Sequence, residues 1–184
     1  MGCDVAAGKK AVAKLNIKSS ILSKYDITDI RCVDILFWAY DEDKHYKEFD
    51  TGQKEIKTNL YDNSHNTFVG DAIYADNGIT VNYLKQDGND VYFCISNATG
   101  KYFNYDFTEI TINGFTVTDV DYDLYNEVIL DKCCTVCTVQ VSKSFMSETE
   151  IDDVTSVEWN MSIRPYGDYF DEYKIGPIEY IIGQ

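Results

Sequence analysis

Proline and histidine each occur only twice in 184 residues. So little proline, beside 11 glycines and 45% apolar residues, excludes a collagen-like repeat or a disordered chain. The two histidines, His45 in Asp43-Lys44-His45-Tyr46 and His65 in Asn63-Ser64-His65-Asn66, sit in polar, loop-like runs where nothing sets a base against a nucleophile. Basic side chains are scarce too. Sixteen Lys and Arg against 31 Asp and Glu leave a net charge of −15, which repels a phosphate backbone and excludes nucleic acid as a partner. No stretch approaches the ~18 uncharged apolar residues of a membrane span. Met1-Gly2-Cys3-Asp4 does not open a basic segment followed by an apolar one, so no signal peptide is expected. A Gly-rich phosphate loop, a nucleophile elbow and a metalloprotease motif are all missing, and the expectation is that the chain is not an enzyme.

The charge that is present is unevenly placed. Residues 1–60 carry 10 basic and 10 acidic side chains, whereas residues 61–184 carry 6 and 21. Laying residue n over residue n+124 reveals an internal similarity without gaps. Val12 meets Val136, Ser20 meets Ser144, Ile27 meets Ile151, Val33 meets Val157, Gly52 meets Gly176 and Glu55 meets Glu179. Like-for-like pairs lie between them, among them Ile17 with Val141, Ile30 with Val154 and Phe49 with Tyr173. Residues 1–60 thus read as the C-terminal half of a unit, residues 61–65 as a linker and residues 66–184 as the complete unit. The expectation is that the missing first half lies outside the chain or is supplied by something else.

Within the complete unit the pattern is strands between turns. Ile79–Leu84 and Val91–Ile95 flank Gln86-Asp87-Gly88 as a hairpin, and Thr108–Ile112 and Phe115–Val117 flank Asn113-Gly114, the dipeptide of a type I′ turn. Val136–Val141, Val154–Ile163 and Ile178–Ile182 complete the set. A short helix is expected after Ser19 or Ser20, and again after Ser144, where serine caps the first turn. Strand spacing and unit length point to an all-β fold, an immunoglobulin-like β-sandwich, with one complete repeat preceded by half of another.

These residues also carry a family resemblance. Cys3-Asp4-Val5-Ala6-Ala7-Gly8-Lys9-Lys10, Ser20-Ile21-Leu22, Ile27-Thr28-Asp29-Ile30 and Tyr40-Asp41-Glu42-Asp43 resemble the second half of an Ig-like repeat. That repeat occurs in exported or membrane-anchored, often zinc-ribbon-associated, proteins of Gram-positive gut bacteria. Asn77-Gly78-Ile79-Thr80-Val81 and Ile112-Asn113-Gly114-Phe115 resemble its first half. The second copy departs from the pattern at Leu130-Asp131-Lys132-Cys133, where Gly-Lys-Lys is expected. The resemblance implies the fold and an extracytoplasmic setting, at the cell surface or secreted; it implies no reaction.

Alternation along the strands separates faces. In the complete unit Val157, Trp159, Met161 and Ile163 form a core face, and Glu158, Asn160, Ser162 and Arg164 a wet one. The first copy matches the core face with Val33, Ile35, Phe37 and Ala39, but its other face reads Asp34, Leu36, Trp38 and Tyr40. Leu36, Trp38 and Tyr40 are therefore a candidate interface. The half-repeat is expected to pack on the second domain or on another chain, and a homo-oligomer is one form of that packing.

Six cysteines are present. Cys133 and Cys137 share a face with Val139 while Cys134 points the other way, so Cys137 reads as a small core residue. A zinc site on Cys133, Cys134 and Cys137 is the alternative, but the run lies in a strand without a second pair at ligand spacing. Asp119, Asp121 and Asp123, with Asp106, Asp168, Asp171 and Glu172, gather at one pole if consecutive strands run antiparallel. Asp-x-Asp-x-Asp is also how a calcium loop opens, although Leu124 stands where an EF-hand needs Gly. No cofactor is expected, with calcium at Asp119, Asp121 and Asp123 the candidate for these carboxylates and a solvated acidic face the alternative. The expected role is a non-enzymatic interaction module for adhesion and protein or glycan contact, in which Tyr102, Tyr105 and Tyr122 lie near the acidic end. Its alternatives are a structural spacer or stalk and a weak calcium-binding module.

Overall fold

The computed structural model describes residues 5, 8–10, 12, 14, 16–24, 27–41, 47–50, 52–62, 70–117, 128–166 and 172–183. The chain divides into two compact units, residues 1–64 and 65–184.

In the first unit, helix α1 (Ser19–Lys24) precedes β1 (Cys32–Ile35), β2 (Trp38–Asp41), β3 (Lys47–Asp50) and β4 (Lys54–Lys57). β1 pairs antiparallel with β4 and β2 with β3. Ile35 faces Lys54 while Trp38 faces Asp50, so two residues on one strand oppose three on the other. Gly52, at φ 69°, sits in that bulge, a backbone geometry that a Cβ would oppose. The single alternating strand expected over 33–40 is therefore interrupted at Leu36-Phe37, and Phe37, from the expected core face, is 49% exposed.

The second unit opens as a meander of β5 (Asp71–Asp76), β6 (Ile79–Asp87) and β7 (Asp90–Asn97). Asn77 and Gly78, at φ 50° and 81°, make the tight turn between β5 and β6; β5 itself carries no strong sequence signal. β8 (Phe103–Ile112) turns through Asn113-Gly114, both at positive φ as a type I′ turn requires, into β9 (Phe115–Thr116). β10 (Val128–Ile129), β11 (Cys134–Val139), α2 (Lys143–Glu148), β12 (Ser156–Pro165) and β13 (Tyr173–Ile181) follow. The cap of α2 is Ser142 rather than Ser144: its Oγ accepts from the Phe145 N–H at 3.2 Å.

Two antiparallel sheets result, in the orders β11-β7-β6-β5 and β10-β8-β12-β13, with β9 beside β10 on the free edge of β8. Period-2 alternation sends Val91, Phe93 and Ile95 of β7 and Val157, Trp159, Met161 and Ile163 of β12 into one shared core. The Phe93 ring lies 4.4 Å from the Trp159 ring, and Phe107 meets Trp159 edge-on at 5.9 Å. The second unit is an all-β sandwich, and every buried hydrophobic among the described residues belongs to it. On its second half, Asn113 acts as a clamp: its Oδ1 accepts from the N–H groups of Thr155 and Ser156, and its Nδ2 donates to the Asp153 carbonyl.

The offset of 124 read from the sequence maps one unit's geometry onto the other's. It carries α1 onto α2, the pair Ile35–Lys54 onto Trp159–Ile178, and Trp38–Asp50 onto Ser162–Lys174. The bulge at Gly52 falls on the bulge at Gly176, which is at φ 131° before a cis bond to Pro177. Three backbone hydrogen bonds coincide as well. Leu22 N–H to Lys18 O, Ile27 N–H to Leu22 O and Thr58 N–H to Arg31 O match Met146 to Ser142, Ile151 to Met146 and Ile182 to Thr155. Gly8 at φ 72° corresponds to Lys132 at φ 60°, so the turn keeps its left-handed residue where the glycine is lost.

Candidate functional site

A cleft of about 460 Å³ opens in the second unit where four segments converge: the β5–β6 turn, the connection from β7 to β8, the end of β12 and the start of β13. Its floor is apolar, made by Ile79, Phe103, Ile163 and Ile175, each of which turns inward by strand alternation and is at most 8% exposed. The rim is different in kind. Tyr74, Tyr102 and Tyr173 bring three aromatic rings, with Asp76, Lys101 and Lys174 adding charges of both signs. Burial pushes the Tyr74 phenol above its ordinary value, and Asp76 beside it pushes in the same direction, so the phenol stays a neutral hydrogen-bonding group.

One wall is held by a buried polar residue. Asn97, 2% exposed, donates from Nδ2 to the carbonyls of Lys101 and Ile129, at 2.7 and 3.0 Å. Its Oδ1 accepts from the N–H and hydroxyl of Thr99. Asn97 thus uses both ends of its amide, fixing the segment that carries Thr99, Lys101 and Tyr102 against β10.

Near this end, on the outward face of β12, where Ser162 is buried rather than wet as expected, Arg164 donates to Glu172 Oε1 at 3.0 Å and lies 3.8 Å from Asp106 Oδ2. Glu172 is held below the usual carboxylate range, chiefly by the Arg164 hydrogen bond and then by one from Ser162. Two of the carboxylates expected at one pole are therefore brought together, around a cation. Asp119, Asp121, Asp123, Asp168 and Asp171 lie outside the described residues, as do Tyr122, His45 and His65. Among the described residues no group of three His, Cys, Asp or Glu side chains could hold a metal ion. Tyr102 reaches the cleft, but Tyr105 is a correction to the reading of exposed tyrosines: with Phe103 and Phe107 it points inward from β8 and is 1% exposed.

Cys137 lies in the core, its Sγ 3.5 Å from the Phe93 carbonyl, whereas Cys134 is exposed on the opposite face of β11. Cys133, Cys134 and Cys137 are thus split between two faces. Cys134 instead meets Cys94 of the neighbouring strand. The hydrogen bond that the Cys134 thiol donates to Cys94 holds the Cys94 thiol below its ordinary value and the Cys134 thiol above it.

Of the candidate interface, Leu36 is half-buried, between β1 and β2, and the side chains of Trp38 and Tyr40 lie outside the described part of the structure. No helix among the described residues is long and apolar enough to cross a membrane. The cleft was not legible from spacing, because its residues come from four separated segments; only Tyr102 was singled out. No protein-family model matches the chain, and no curated protein matches it.

Proposed function

We propose that the chain is a non-enzymatic contact module of the immunoglobulin-like kind, acting outside the cytoplasm in adhesion, and that the tyrosine-rimmed cleft takes a glycan. The cleft carries this reading. Its volume falls in the range of small-ligand sites, and an apolar floor ringed by a few polar groups is how such sites fix orientation. A sugar ring offers a C–H face to an aromatic side chain and hydroxyls to carboxylate, amide and ammonium groups. Tyr74, Tyr102 and Tyr173, with Asp76, Asn77 and Lys174, supply both. The extracytoplasmic setting and the immunoglobulin-like type rest on the resemblance of the Asn77–Val81 and Ile112–Phe115 segments, and the two-sheet sandwich around Trp159 supports the type.

A glycan array followed by NMR titration with the best binder tests the reading. The expected result is binding with shifts confined to the cleft, and a loss of about tenfold or more in affinity in Tyr173→Ala, which removes a 59% exposed ring from the rim. Silence across the array, with no shift at the cleft, would sink it and favour a spacer. Shifts in the cleft on adding a protein but no sugar would replace the glycan with a protein partner.

A further inference from the structure

The two units match in geometry but not in burial. Phe37 is 49% exposed where Met161 is 1%, and Ile17 37% where Val141 is 6%. Val33 and Ile35 are half-buried where Val157 and Trp159 are fully buried. In the second unit three devices cover those positions, and all three come from residues 71–129: the ladder from β8 to β12, the ladder from β7 to β11, and the Asn113 clamp. Among the described residues of the first unit, β1 pairs with β4 alone. The stretch that corresponds to β11 shows the consequence. Residues 10, 12 and 14 are not in a strand, and Val12 is 99% exposed where Val136 is half-buried beside β7.

We infer that residues 8–58 are the second half of a sandwich, and that the exposed face of β1, with the lysine-rich run that precedes it in the sequence, binds an acidic six-stranded first half built like residues 71–129. Charge selects that occupant. Lys9, Lys10, Lys14, Lys18 and Lys24 stand in a segment without Asp or Glu, at positions that the second unit fills with Cys133, Cys134, Thr138, Ser142 and Glu148. Residues 71–129 carry two basic and ten acidic side chains, so a first half of this composition complements the lysines. The β1 edge supplies the backbone pairing. A second copy of the chain is a poorer occupant, because its own residues 71–129 are already engaged by β11 and β12.

Hydrogen exchange on the full chain is the test. In one arm a copy of residues 65–129 is joined ahead of Ala6, since Val5 stands 124 positions before Ile129; the linkage raises effective concentration. In the other arm a synthetic peptide of Phe103–Ile112 is added to the unmodified chain. Exchange at residues 27–35 and 54–58 is expected to slow on the order of 100-fold in the joined chain, and measurably with the peptide. Changing the five lysines to Glu in the joined chain should remove most of that protection. Unchanged exchange in both arms overturns the inference. Protection that appears in the unmodified chain with rising concentration overturns it too, in favour of self-association.

Discussion

Trp159 shows how single side chains act here. Fully buried between the Phe93 and Phe107 rings, it fills the centre of the sandwich, yet its indole N–H finds no hydrogen-bond partner among the described residues. Removing the whole ring and removing only the N–H are therefore unequal changes. Trp159→Ala is expected to destabilise by about 3–5 kcal/mol. Trp159→Phe should cost below about 2 kcal/mol, because the smaller ring leaves no orphan donor. Urea unfolding of both variants checks the order. The cysteine pair gives a second prediction. Since the hydrogen bond that Cys134 donates to Cys94 raises the Cys134 thiol most, Cys94→Ala should speed alkylation of Cys134 at mildly alkaline pH, read by mass spectrometry. Glu172 gives a third. Its depressed carboxyl contributes stability above the ordinary carboxylate range, and that contribution is lost as pH falls through the depressed value. Arg164→Gln should move the Glu172 titration midpoint upward by NMR; an unmoved midpoint would show that the arginine is not the cause.

At the scale of elements, β12 takes its place from the bulges on its two neighbours. Glu109, at φ 53°, bulges β8 and accepts from Asn160 Nδ2, while Gly176 bulges β13. A Cβ on Gly176 would stand 3.0 Å from the Trp159 carbonyl and 2.5 Å from Asn160 Oδ1, at a φ of 131° that suits only glycine. Gly176→Ala is expected to destabilise by about 1–3 kcal/mol. Gly52, in the corresponding bulge, has open space around its would-be Cβ, so Gly52→Ala should bring only the backbone cost, about 1 kcal/mol. Thermal unfolding of the two variants compares them. Equal losses would mean that the close approach at Gly176 contributes nothing.

For the molecule as a whole, burial and charge are both divided between the units. Residues 61–184 hold 6 basic and 21 acidic side chains around the whole described core, whereas residues 1–60 are neutral. Raising salt from about 10 mM to about 150 mM should therefore raise the melting temperature of the second unit, by screening its self-repulsion. In the chain alone, amides of Val91–Ile95 should exchange only through global unfolding, and those of Cys32–Ile35 orders of magnitude faster. Similar rates in both places would contradict this division of burial between the units.

The sequence by itself determined the period-2 faces of β7 and β12, the Asn113-Gly114 turn, both helix positions and the offset of 124, because each depends on neighbours within a few residues or on a register that recurs along the chain. The inward face of Cys137 was legible for the same reason. Tertiary structure decided what depends on residues far apart. It buried Tyr105, broke the 33–40 strand with a bulge set by Gly52 on the partner strand, and placed the α2 cap at Ser142. It also assembled the cleft, whose floor and rim come from segments that converge only when two sheets close on one core. The first unit shows the same division: local sequence forms its ladders and helix, but Ile17 and Phe37 stay exposed where closure of the two sheets in the second unit buries Val141 and Met161.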